Sequence, residues 1–428
     1  MFALLDGNNF YVSCERVFRP ALKGLPVIVL SNNDGCAIAR SEEAKALGIK
    51  MGEPFFQIKH RIHQGLVALS ANFVLYGDMS DRMMSLAAGL GPEQEIYSID
   101  ECFIGLAGVS DVTRRSWAIR DRILRGVGIP TCIGIGPTKT LAKLANHVAK
   151  DAERRPGSYP ASLAQVCNLT ELSPAQLQSL LESVPVSEVW GVGRRIKMRL
   201  LDHKIFTAWD LARAPQPQLR AHFGVVLERT ARELQGIPCL GLEHEPPPKQ
   251  QIACTRSFGR PVSDLAPLVE AVSAFAQRAA EKLRAQDHRA GAVHVFAHTS
   301  PFRDGPRFAR STTVQLPLPS SDTALLVRAA ARGIARIYES GYQLAKAGVM
   351  LLDLSPVAVQ QASLLDESNA YARDHSPLME AMDQLNARYG KGTVGVASAL
   401  QESGWGMRQD RRTPRYTTEL NDIPIART

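Results

Sequence analysis

Residues 95–104 read Glu-Ile-Tyr-Ser-Ile-Asp-Glu-Cys-Phe-Ile, and this stretch decides the fold because two apolar segments flank an acidic turn. Short runs rich in Ile and Phe indicate strands, so the stretch predicts a hairpin with Asp100 and Glu101 in its turn. A third acid, Asp6, follows the apolar run 2–5. That run predicts a buried strand that presents Asp6 at its tip. Placed side by side, these strands would bring three carboxylates together.

Three clustered carboxylates have a particular chemistry. Like charges at short range are costly unless cations neutralise them. Mg²⁺ prefers oxygen ligands and suits sites that it shares with substrate phosphates. Two such ions can activate an attacking hydroxyl and stabilise the leaving oxygen of an in-line displacement. The same residues also fit a strand cap at Asp6 and a solvated turn at 100–101, and these residues alone leave both interpretations open.

The elements around these acids alternate between strands and helices. Residues 26–30 and 131–136 are apolar enough to predict strands, whereas 41–48 and 139–150 are rich in helix-forming residues. Gly48 would close the first of these helices. Such alternation predicts an α/β or α+β domain up to about residue 165.

The character of the chain changes after this domain. Residues 168–245 predict helices joined by short glycine turns, and the prolines in Glu-His-Glu-Pro-Pro-Pro-Lys at 243–249 indicate an inter-domain linker. Residues 250–355 then predict strands around two helices, at 270–285 and 322–340. The module at 249–355 has 14 Lys or Arg against 8 Asp or Glu, so it carries most of the net charge.

Charge and cysteine content limit the possible environments and partners. The 428 residues have a formal charge of +8, which favours a polyanionic partner but also fits a basic enzyme without one. The seven cysteines form no C-x-x-C pair, which argues against a disulfide framework or a zinc site and fits a reducing cytoplasm. The N-terminus lacks a basic n-region, and no stretch of about 20 apolar residues predicts a membrane span.

The order of the motifs is more specific than any one of them. DGNNFYVSCE (6–15), YSIDE (97–101) and IGIGPTKTLAKLANHVAK (133–150) follow one another in an order that resembles the Y-family DNA polymerases. The likeness to the UmuC branch of this family rests on four segments: 31–54, PTKTLAKLANH (137–147), VWGVGRRI (189–196) and TPRYTTEL (413–420). This likeness extends over essentially the whole chain.

The resemblance implies a multidomain α+β fold, the right-hand polymerase. Palm and fingers would occupy 1–167, with the fingers at about 12–75, and a helical thumb 168–243. An α/β little finger that grips DNA would occupy 249–355. A linker that binds the sliding clamp and a UmuC-type tail would occupy 356–428.

The resemblance also assigns roles to the acids. Asp6 and Asp100 match the metal-binding aspartates of the family, and Glu101 matches its catalytic glutamate, which binds the metal that activates the primer 3′-hydroxyl. The implied cofactor is a pair of Mg²⁺ ions.

Three further residues match the nucleotide-binding positions of the family. Tyr11 matches the aromatic residue whose rigid ring leaves no room for a 2′-hydroxyl, whereas residues alone would make Phe10-Tyr11 core aromatics. Lys45 and Lys150 match residues that contact the triphosphate, although Lys45 also fits a solvated helix face. Glu42 stands where many members have a tyrosine, which leaves the exact phosphate contacts open.

Two other segments resemble known binding motifs. Gly191-Val-Gly193, followed by Arg194 and Arg195, resembles a helix-hairpin-helix whose glycine turn and next helix N-terminus approach a DNA phosphate. An ordinary turn with a basic face is the alternative.

Gln361-Ala-Ser-Leu-Leu365 resembles the peptide with which bacterial polymerases hold the β sliding clamp. Leu364 and Leu365 would fill an apolar pocket while Gln361 bonds to its rim. A chance match is the alternative, because loose five-residue patterns recur often.

The function implied is error-prone, DNA-directed DNA synthesis across lesions in the SOS response, without proofreading. The substrates are primer–template DNA and deoxyribonucleoside triphosphates, and the implied partners are a processed UmuD dimer, the RecA filament and the β clamp. Two alternatives remain: a nucleotidyl cyclase, which needs no template, and a non-catalytic DNA-binding scaffold. The basic modules argue against the first and the intact acids Asp6, Asp100 and Glu101 against the second.

Overall fold

The structure is a computed structural model that describes residues 1–245, 248–358, 375–399 and 404–425. The chain divides into two compact units. Unit 1 comprises Met1–Ser31, Cys36–Pro246 and Arg411–Thr428, and unit 2 comprises Asn32–Gly35 and Pro247–Asp410.

Unit 1 contains two sheets. Its strands are β1 (Phe2–Gly7), β2 (Val27–Leu30), β3 (Ala37–Arg40), β4 (Val67–Ser70), β5 (Glu93–Ile96), β6 (Glu101–Gly105), β7 (Thr131–Gly136) and β8 (Val166–Asn168). The larger sheet has the order β5-β6-β1-β7-β8, and the smaller has the order β3-β2-β4. In the larger sheet β1 is antiparallel to both β6 and β7, so β1 lies at its centre.

Helices pack around these sheets, and after β8 the chain continues into a region made of helices. They are α1 (Phe10–Phe18), α2 (Glu42–Ala46), α3 (Phe55–Ile58), α4 (Phe73–Ala87), α5 (Val112–Val127), α6 (Lys139–Arg154), α7 (Pro174–Ser183), α8 (Arg194–Asp202), α9 (Ala208–Arg213), α10 (Gln216–Phe223) and α11 (Val225–Leu234). The last five share an apolar core with α6, which includes the buried Leu181, Leu200 and Leu227.

Close packing of α6 against β7 fixes the position of this helix. Gly134 is required there, because a Cβ at this position would lie 2.1 Å from the backbone nitrogen of Asn146. The Asn146 side chain donates to the carbonyl oxygens of Cys132 (2.9 Å) and Leu4 (3.3 Å), so the helix is bonded to two strands. These contacts therefore fix the direction in which α6 points its side chains along the sheet.

Within its described residues, unit 2 has one sheet and three α-helices. Its elements are β9 (Ile252–Val262), α12 (Leu265–Arg284), β10 (His288–Thr299), β11 (Ala309–Ser320), α13 (Thr323–Ile337), β12 (Leu344–Pro356) and α14 (Ser376–Tyr389). The strand order is β11-β10-β12-β9. Buried residues of α12 and α13 share one core with the sheet, including Phe275, Leu326 and Val295.

The predicted α+β architecture is confirmed, but some boundaries were wrong. β1 runs on through Asp6 to Gly7, and Glu101 is the first residue of β6, so the turn contains only 97–100. α6 continues one turn past Lys150 to Arg154. Pairing with β6 and β7 carries β1 past its apolar run, and the buried Ala152 continues the apolar face of α6 past Lys150.

The C-terminal region is shared between the two units. In unit 2, Asp383 of α14 forms a bidentate ion pair with Arg284, and Trp405 is buried beside Phe275. From Arg411 onward the chain belongs to unit 1. The sequence analysis treated 356–428 as one tail and did not anticipate this division. None of the helices in the described part of the chain has the length and apolarity needed to span a membrane.

Candidate active site

Strand pairing brings Asp6 and Glu101 to the same place. In the antiparallel register of β1 and β6, Asp6 lies opposite Glu101, and the backbone N–H of Gly7 donates to the carbonyl oxygen of Asp100 (2.8 Å). Asp100 is held in the turn by the Ser98 hydroxyl, which donates to its Oδ1 (2.6 Å). The sheet therefore gathers the three predicted acids at one end of β1 and β6.

Two lysines of α6 neutralise two of these acids. Lys143 Nζ lies 2.9 and 2.7 Å from the two carboxylate oxygens of Glu101, and Lys150 forms an ion pair with Asp6. Burial is the largest influence and acts to raise the pKa of Glu101, but the charge and hydrogen bond of Lys143, together with Asp6 and Lys150, outweigh it, so this pKa is lowered. For Asp6, burial dominates and raises the pKa to about 7, despite Lys150 and with a further contribution from Glu101.

The residues fit a divalent cation chemically, although they are not arranged as a metal cage. Within the described ranges, no group of three or more His, Cys, Asp or Glu side chains is placed to hold a metal ion. Buried Asp6 lies beside the like-charged Glu101, and both require positive charge nearby. Carboxylate oxygens are the donors that Mg²⁺ prefers. Metal binding by Asp6, Asp100 and Glu101 therefore stays a prediction.

A cavity of about 350 Å³ adjoins the acids. All three nucleotide-binding residues predicted from the sequence line it, together with two of the acids. The lining includes Asp6, Asp100, Tyr11, Lys45 and Lys150, as well as Arg40 and Arg154. Its walls therefore combine carboxylates at one side with cationic side chains that suit a polyphosphate.

Glu42 pairs with two of the cations that line this cavity, Lys45 and Arg154. Its Oε1 accepts from Lys45 Nζ (2.8 Å) and Asn9 Nδ2 (3.0 Å) and lies 3.2 Å from Arg154 Nε. Burial acts to raise the pKa of Glu42, but these partners lower it below its usual value. Lys45 is thus paired inside the cavity, which argues against the solvated-face alternative.

Sequence reasoning missed Arg154 and Arg40. Arg154 lies on the last turn of α6, which the sequence analysis ended at Lys150. A signal was present, because Lys139, Lys143, Lys150 and Arg154 recur at helical spacing and mark one cationic face of α6. No comparable periodicity marks Arg40, whose position depends on how β3 pairs with β2.

Tyr11 lies at the cavity wall within an aromatic cluster. Its ring stacks on Tyr76 with centroids 4.6 Å apart and planes at 17°, and it meets Phe73 edge-on at 6.1 Å. Phe10 is buried beneath, at 4% exposure. Both aromatics line the cavity, and Tyr11 is the more exposed of the two.

The predicted helix-hairpin-helix segment forms a glycine turn that leads into α8. Gly191 has φ +86°, Gly193 caps α8, and Arg194 and Arg195 are exposed on its first turn. The element just before the turn is a 3-10 turn, Val186–Glu188, rather than an α-helix, since α7 ends at Ser183. DNA contact by these residues stays a prediction.

The clamp motif, with Gln361, Leu364 and Leu365, lies outside the described residues.

Comparison with known proteins places this fold and site in a family. Residues 5–147 match the impB/mucB/samB family and residues 249–364 match the impB/mucB/samB family C-terminal domain. Residues 376–426 match a domain of unknown function (DUF4113).

Relatives cover the whole chain. The chain is 45% identical to protein UmuC of Salmonella typhimurium over 99% of both chains. It is 28% identical to DNA polymerase IV of Moorella thermoacetica over 94% of this chain and 96% of the relative. Among solved structures, a Y-family DNA polymerase chimera of Dbh and Dpo4 superimposes with a TM-score of 0.63 at 18% identity, covering 83% of this chain and all of that one. The chain therefore belongs to the impB/mucB/samB family of Y-family DNA polymerases, in the branch of UmuC.

Proposed function

We propose that this chain, a DNA-directed DNA polymerase, performs error-prone translesion synthesis in the SOS response by two-metal-ion nucleotidyl transfer. The observation that carries the proposal is the cavity between the carboxylates at the end of β1 and β6 and the cations of α2 and α6. Asp6 and Asp100 line it together with Lys45, Lys150 and Arg154. One compartment thus offers ligands for metal ions and cations for a triphosphate.

Asp6, Asp100 and Glu101 would hold the metal ions. Two bound Mg²⁺ ions would supply charge neutralisation at the attacking and leaving oxygens. The protein contributes position: the register of β1 and β6 sets Asp6 opposite Glu101, and Ser98 orients Asp100. Carboxylates fixed in this way need little reorganisation when a primer end and a nucleotide arrive.

Tyr11, Lys45 and Lys150 would bind the nucleotide. The lysines and Arg154 offer mobile positive charge to the phosphates. The Tyr11 ring, stacked on Tyr76, presents a flat and rigid surface at the cavity. Such a ring would contact the sugar and exclude a 2′-hydroxyl, which makes Tyr11 the proposed sugar gate.

DNA would be held by the glycine turn before α8 and by unit 2, the proposed thumb and little finger. Arg194 and Arg195 follow the turn, where backbone N–H groups favour an anion. In unit 2 two helices pack on the sheet, and side chains of β11 alternate between exposed and half-buried positions. With its excess of Lys and Arg, this module suits a phosphate backbone.

The branch relationship supports three protein partners: a processed UmuD dimer, the RecA filament and the β sliding clamp. For the clamp, the support is the sequence of Gln361, Leu364 and Leu365 alone. Replacing all three by alanine should leave single-nucleotide insertion intact and remove stimulation by the clamp. Unchanged clamp stimulation would place that contact elsewhere.

Primer extension tests the function as a whole. The purified full-length chain should extend a primer on undamaged and abasic templates with Mg²⁺, alone or with the three partners added. An Asp100→Ala variant prepared in parallel should fail on every template. Absence of extension by the wild-type chain under all these conditions, with primer–template still bound, would favour the non-catalytic scaffold.

A further inference from the structure

A short piece of the C-terminal segment is built into the interior of unit 1. The backbone N–H of Ser70 donates to the carbonyl oxygen of Arg411 (3.2 Å), and the N–H of Arg411 donates to the Ser70 hydroxyl (2.9 Å). Two residues later Thr413 is only 5% exposed, whereas Arg411 and Pro414 are exposed. The Thr413 side chain therefore points into the protein, whereas the neighbouring Arg411 and Pro414 stay exposed.

Thr413 joins a buried polar cluster. The Asn72 amide lies 3.1 Å from both the carbonyl oxygen and the hydroxyl of Thr413. The Thr413 hydroxyl donates to Glu15 Oε1 (3.1 Å), and the Tyr76 hydroxyl donates to the same oxygen (2.7 Å). Tyr416 extends the attachment by stacking on Phe18 at 4.7 Å.

Glu15 depends on these hydroxyl donors. It is 0% exposed, and its second carboxylate oxygen has no hydrogen-bond partner in the structure. A buried carboxylate with few donors is poorly satisfied, so loss of one donor changes how it holds the other. Thr413 and Tyr76 are thus coupled through a single oxygen atom.

The far end of this chain of contacts is the nucleotide cavity. Tyr76 is fully buried, and its ring is the platform on which Tyr11 stacks at 4.6 Å. Tyr11 in turn lines the cavity. Contacts between adjacent groups therefore run from Thr413 through Glu15 and Tyr76 to the ring at the cavity wall.

We propose that Thr413 is a positioning residue for sugar selection: the C-terminal segment holds Glu15 and Tyr76 in place and so fixes the Tyr11 ring. This inference rests on the proposed role of Tyr11 as the sugar gate. It gives residues within the domain of unknown function a part in substrate specificity. A gate that is free to tilt admits a 2′-hydroxyl more often, so loss of the Thr413 hydroxyl lowers discrimination against ribonucleotides.

The experiment compares single-nucleotide incorporation of a deoxyribonucleotide and its ribonucleotide, each as kcat/KM, in the full-length chain. Thr413→Val keeps the shape of the side chain and removes the donor. Because one hydrogen bond is at stake, the ratio of the two efficiencies should fall about three- to tenfold. Tyr76→Phe should also lower this ratio. Thr413→Ser keeps the hydroxyl and should therefore keep the wild-type ratio.

The controls separate this inference from the gate itself. Thr418→Val changes an exposed threonine five residues further along the same segment and should leave the ratio unchanged. Tyr11→Ala should lower the ratio more than any other variant, and if it does not, the gate assignment fails. If Tyr11→Ala lowers the ratio while Thr413→Val and Tyr76→Phe leave it within twofold of wild type, the gate stands and the role of Thr413 is overturned. Should Thr413→Val not fold, Thr413→Ala and Tyr76→Phe decide by the same criterion.

Discussion

Two carboxylate–lysine pairs lie one helical turn apart in unit 1, yet their surroundings differ. Glu95 of β5 pairs with Lys139, and Glu101 of the neighbouring β6 pairs with Lys143, four residues further along α6. The shortest N–O distances are nearly equal, at 2.6 and 2.7 Å. Any difference in role must therefore come from what else each pair contacts.

The Glu95–Lys139 pair is satisfied entirely by protein. Its side chains are 8% and 5% exposed. Glu95 also accepts from the backbone N–H of Glu243 (2.8 Å), and Lys139 donates to the carbonyl of Gly241 (3.2 Å) and lies over the Phe103 ring at 4.5 Å. Such a pair has no remaining capacity for a ligand and ties β5 and α6 to the segment after α11.

The Glu101–Lys143 pair faces the candidate active site. Its side chains are 18% and 24% exposed, and Asp6 lies opposite Glu101 across the strands. Asp6 has its own ion pair with Lys150, yet burial and the neighbouring Glu101 still raise the pKa of Asp6 to about 7. The Glu95–Lys139 pair is therefore structural. Lys143 also lies over the rings of Tyr97 (4.8 Å) and Trp190 (5.7 Å), but its pair with Glu101 is more exposed, and we expect this pair to exchange with other cations.

The largest effect should follow from removing a predicted metal ligand. Glu101→Ala or Asp100→Ala should lower primer extension on the order of 10³-fold or more, because residues that act as one catalytic unit lose most activity singly. Binding of primer–template, measured by fluorescence anisotropy, should persist. Near-normal extension by either variant would contradict the active-site role that distinguishes the Glu101–Lys143 pair from the structural Glu95–Lys139 pair.

Breaking the structural pair should affect stability instead. Glu95→Gln leaves Lys139 charged and buried without its counter-charge, which should lower the free energy of unfolding by about 3–5 kcal/mol. Urea unfolding measures this, and activity per folded molecule should remain.

A matched control for this variant is Arg114→Met. It breaks a pair with Asp111 whose side chains are 81% and 61% exposed. The expected change is below about 1 kcal/mol. Equal effects of the Glu95 and Arg114 substitutions would show that burial does not distinguish the pairs.

A smaller effect is expected at the exchangeable pair. If Glu101 binds a metal ion as proposed, Lys143 would compete with that ion for the carboxylate. Lys143→Met should then lower the Mg²⁺ concentration for half-saturation about two- to fivefold, the range of a partly exposed ion pair. Calorimetric Mg²⁺ titration without DNA gives a reading independent of activity, with Arg114→Met as control. A rise in the Mg²⁺ requirement would mean that Lys143 assists the site instead of competing.

Much of the fold can be predicted from the sequence, and the contacts that sequence reasoning did not predict have physical causes. Strand 131–136 was predicted at its observed bounds, because an apolar run ending in glycine is a local signal. Asp6 and Glu101 stand beside apolar strands, but their predicted roles came from the order of motifs that resembles the Y family, since these residues alone also fit a strand cap and a solvated turn. The pairing of Glu95 with Lys139, and of Glu42 with Arg154, depends on where α6 lies over the sheet, which is set by Gly134 and Asn146.

The attachment of Thr413 to Glu15 was beyond sequence reasoning. The two residues are 398 positions apart, and a lone threonine in a polar segment gives no periodic signal. Local patterns predict elements and the residues at their ends, whereas contacts made by a segment without regular structure depend on the completed surface that it meets.

Glu15 gives the test with the smallest expected effect. It is a buried carboxylate in direct contact with hydroxyl groups, whereas Glu95 is in contact with a lysine. Burial raises its pKa above the ordinary 4.5, while the bonds from Tyr76 and Thr413 and the charge of Arg19 act to lower it. A raised pKa means that the folded protein holds this proton more tightly than the unfolded chain. Stability is therefore lost as the pH rises from about the ordinary value through the raised one.

Glu15→Gln removes this titration and keeps an oxygen that can accept from both hydroxyls. The melting temperature of the variant, minus that of the wild type, should increase as the pH is raised from 4.5 towards neutrality. The nearby Tyr416 and Cys14, whose pKa values are raised by burial and by Glu15, stay protonated over this range and so do not contribute to the difference. A difference at Glu15 that stays flat or falls with pH would mean that its two hydroxyl donors stabilise the charge as well as a lysine does.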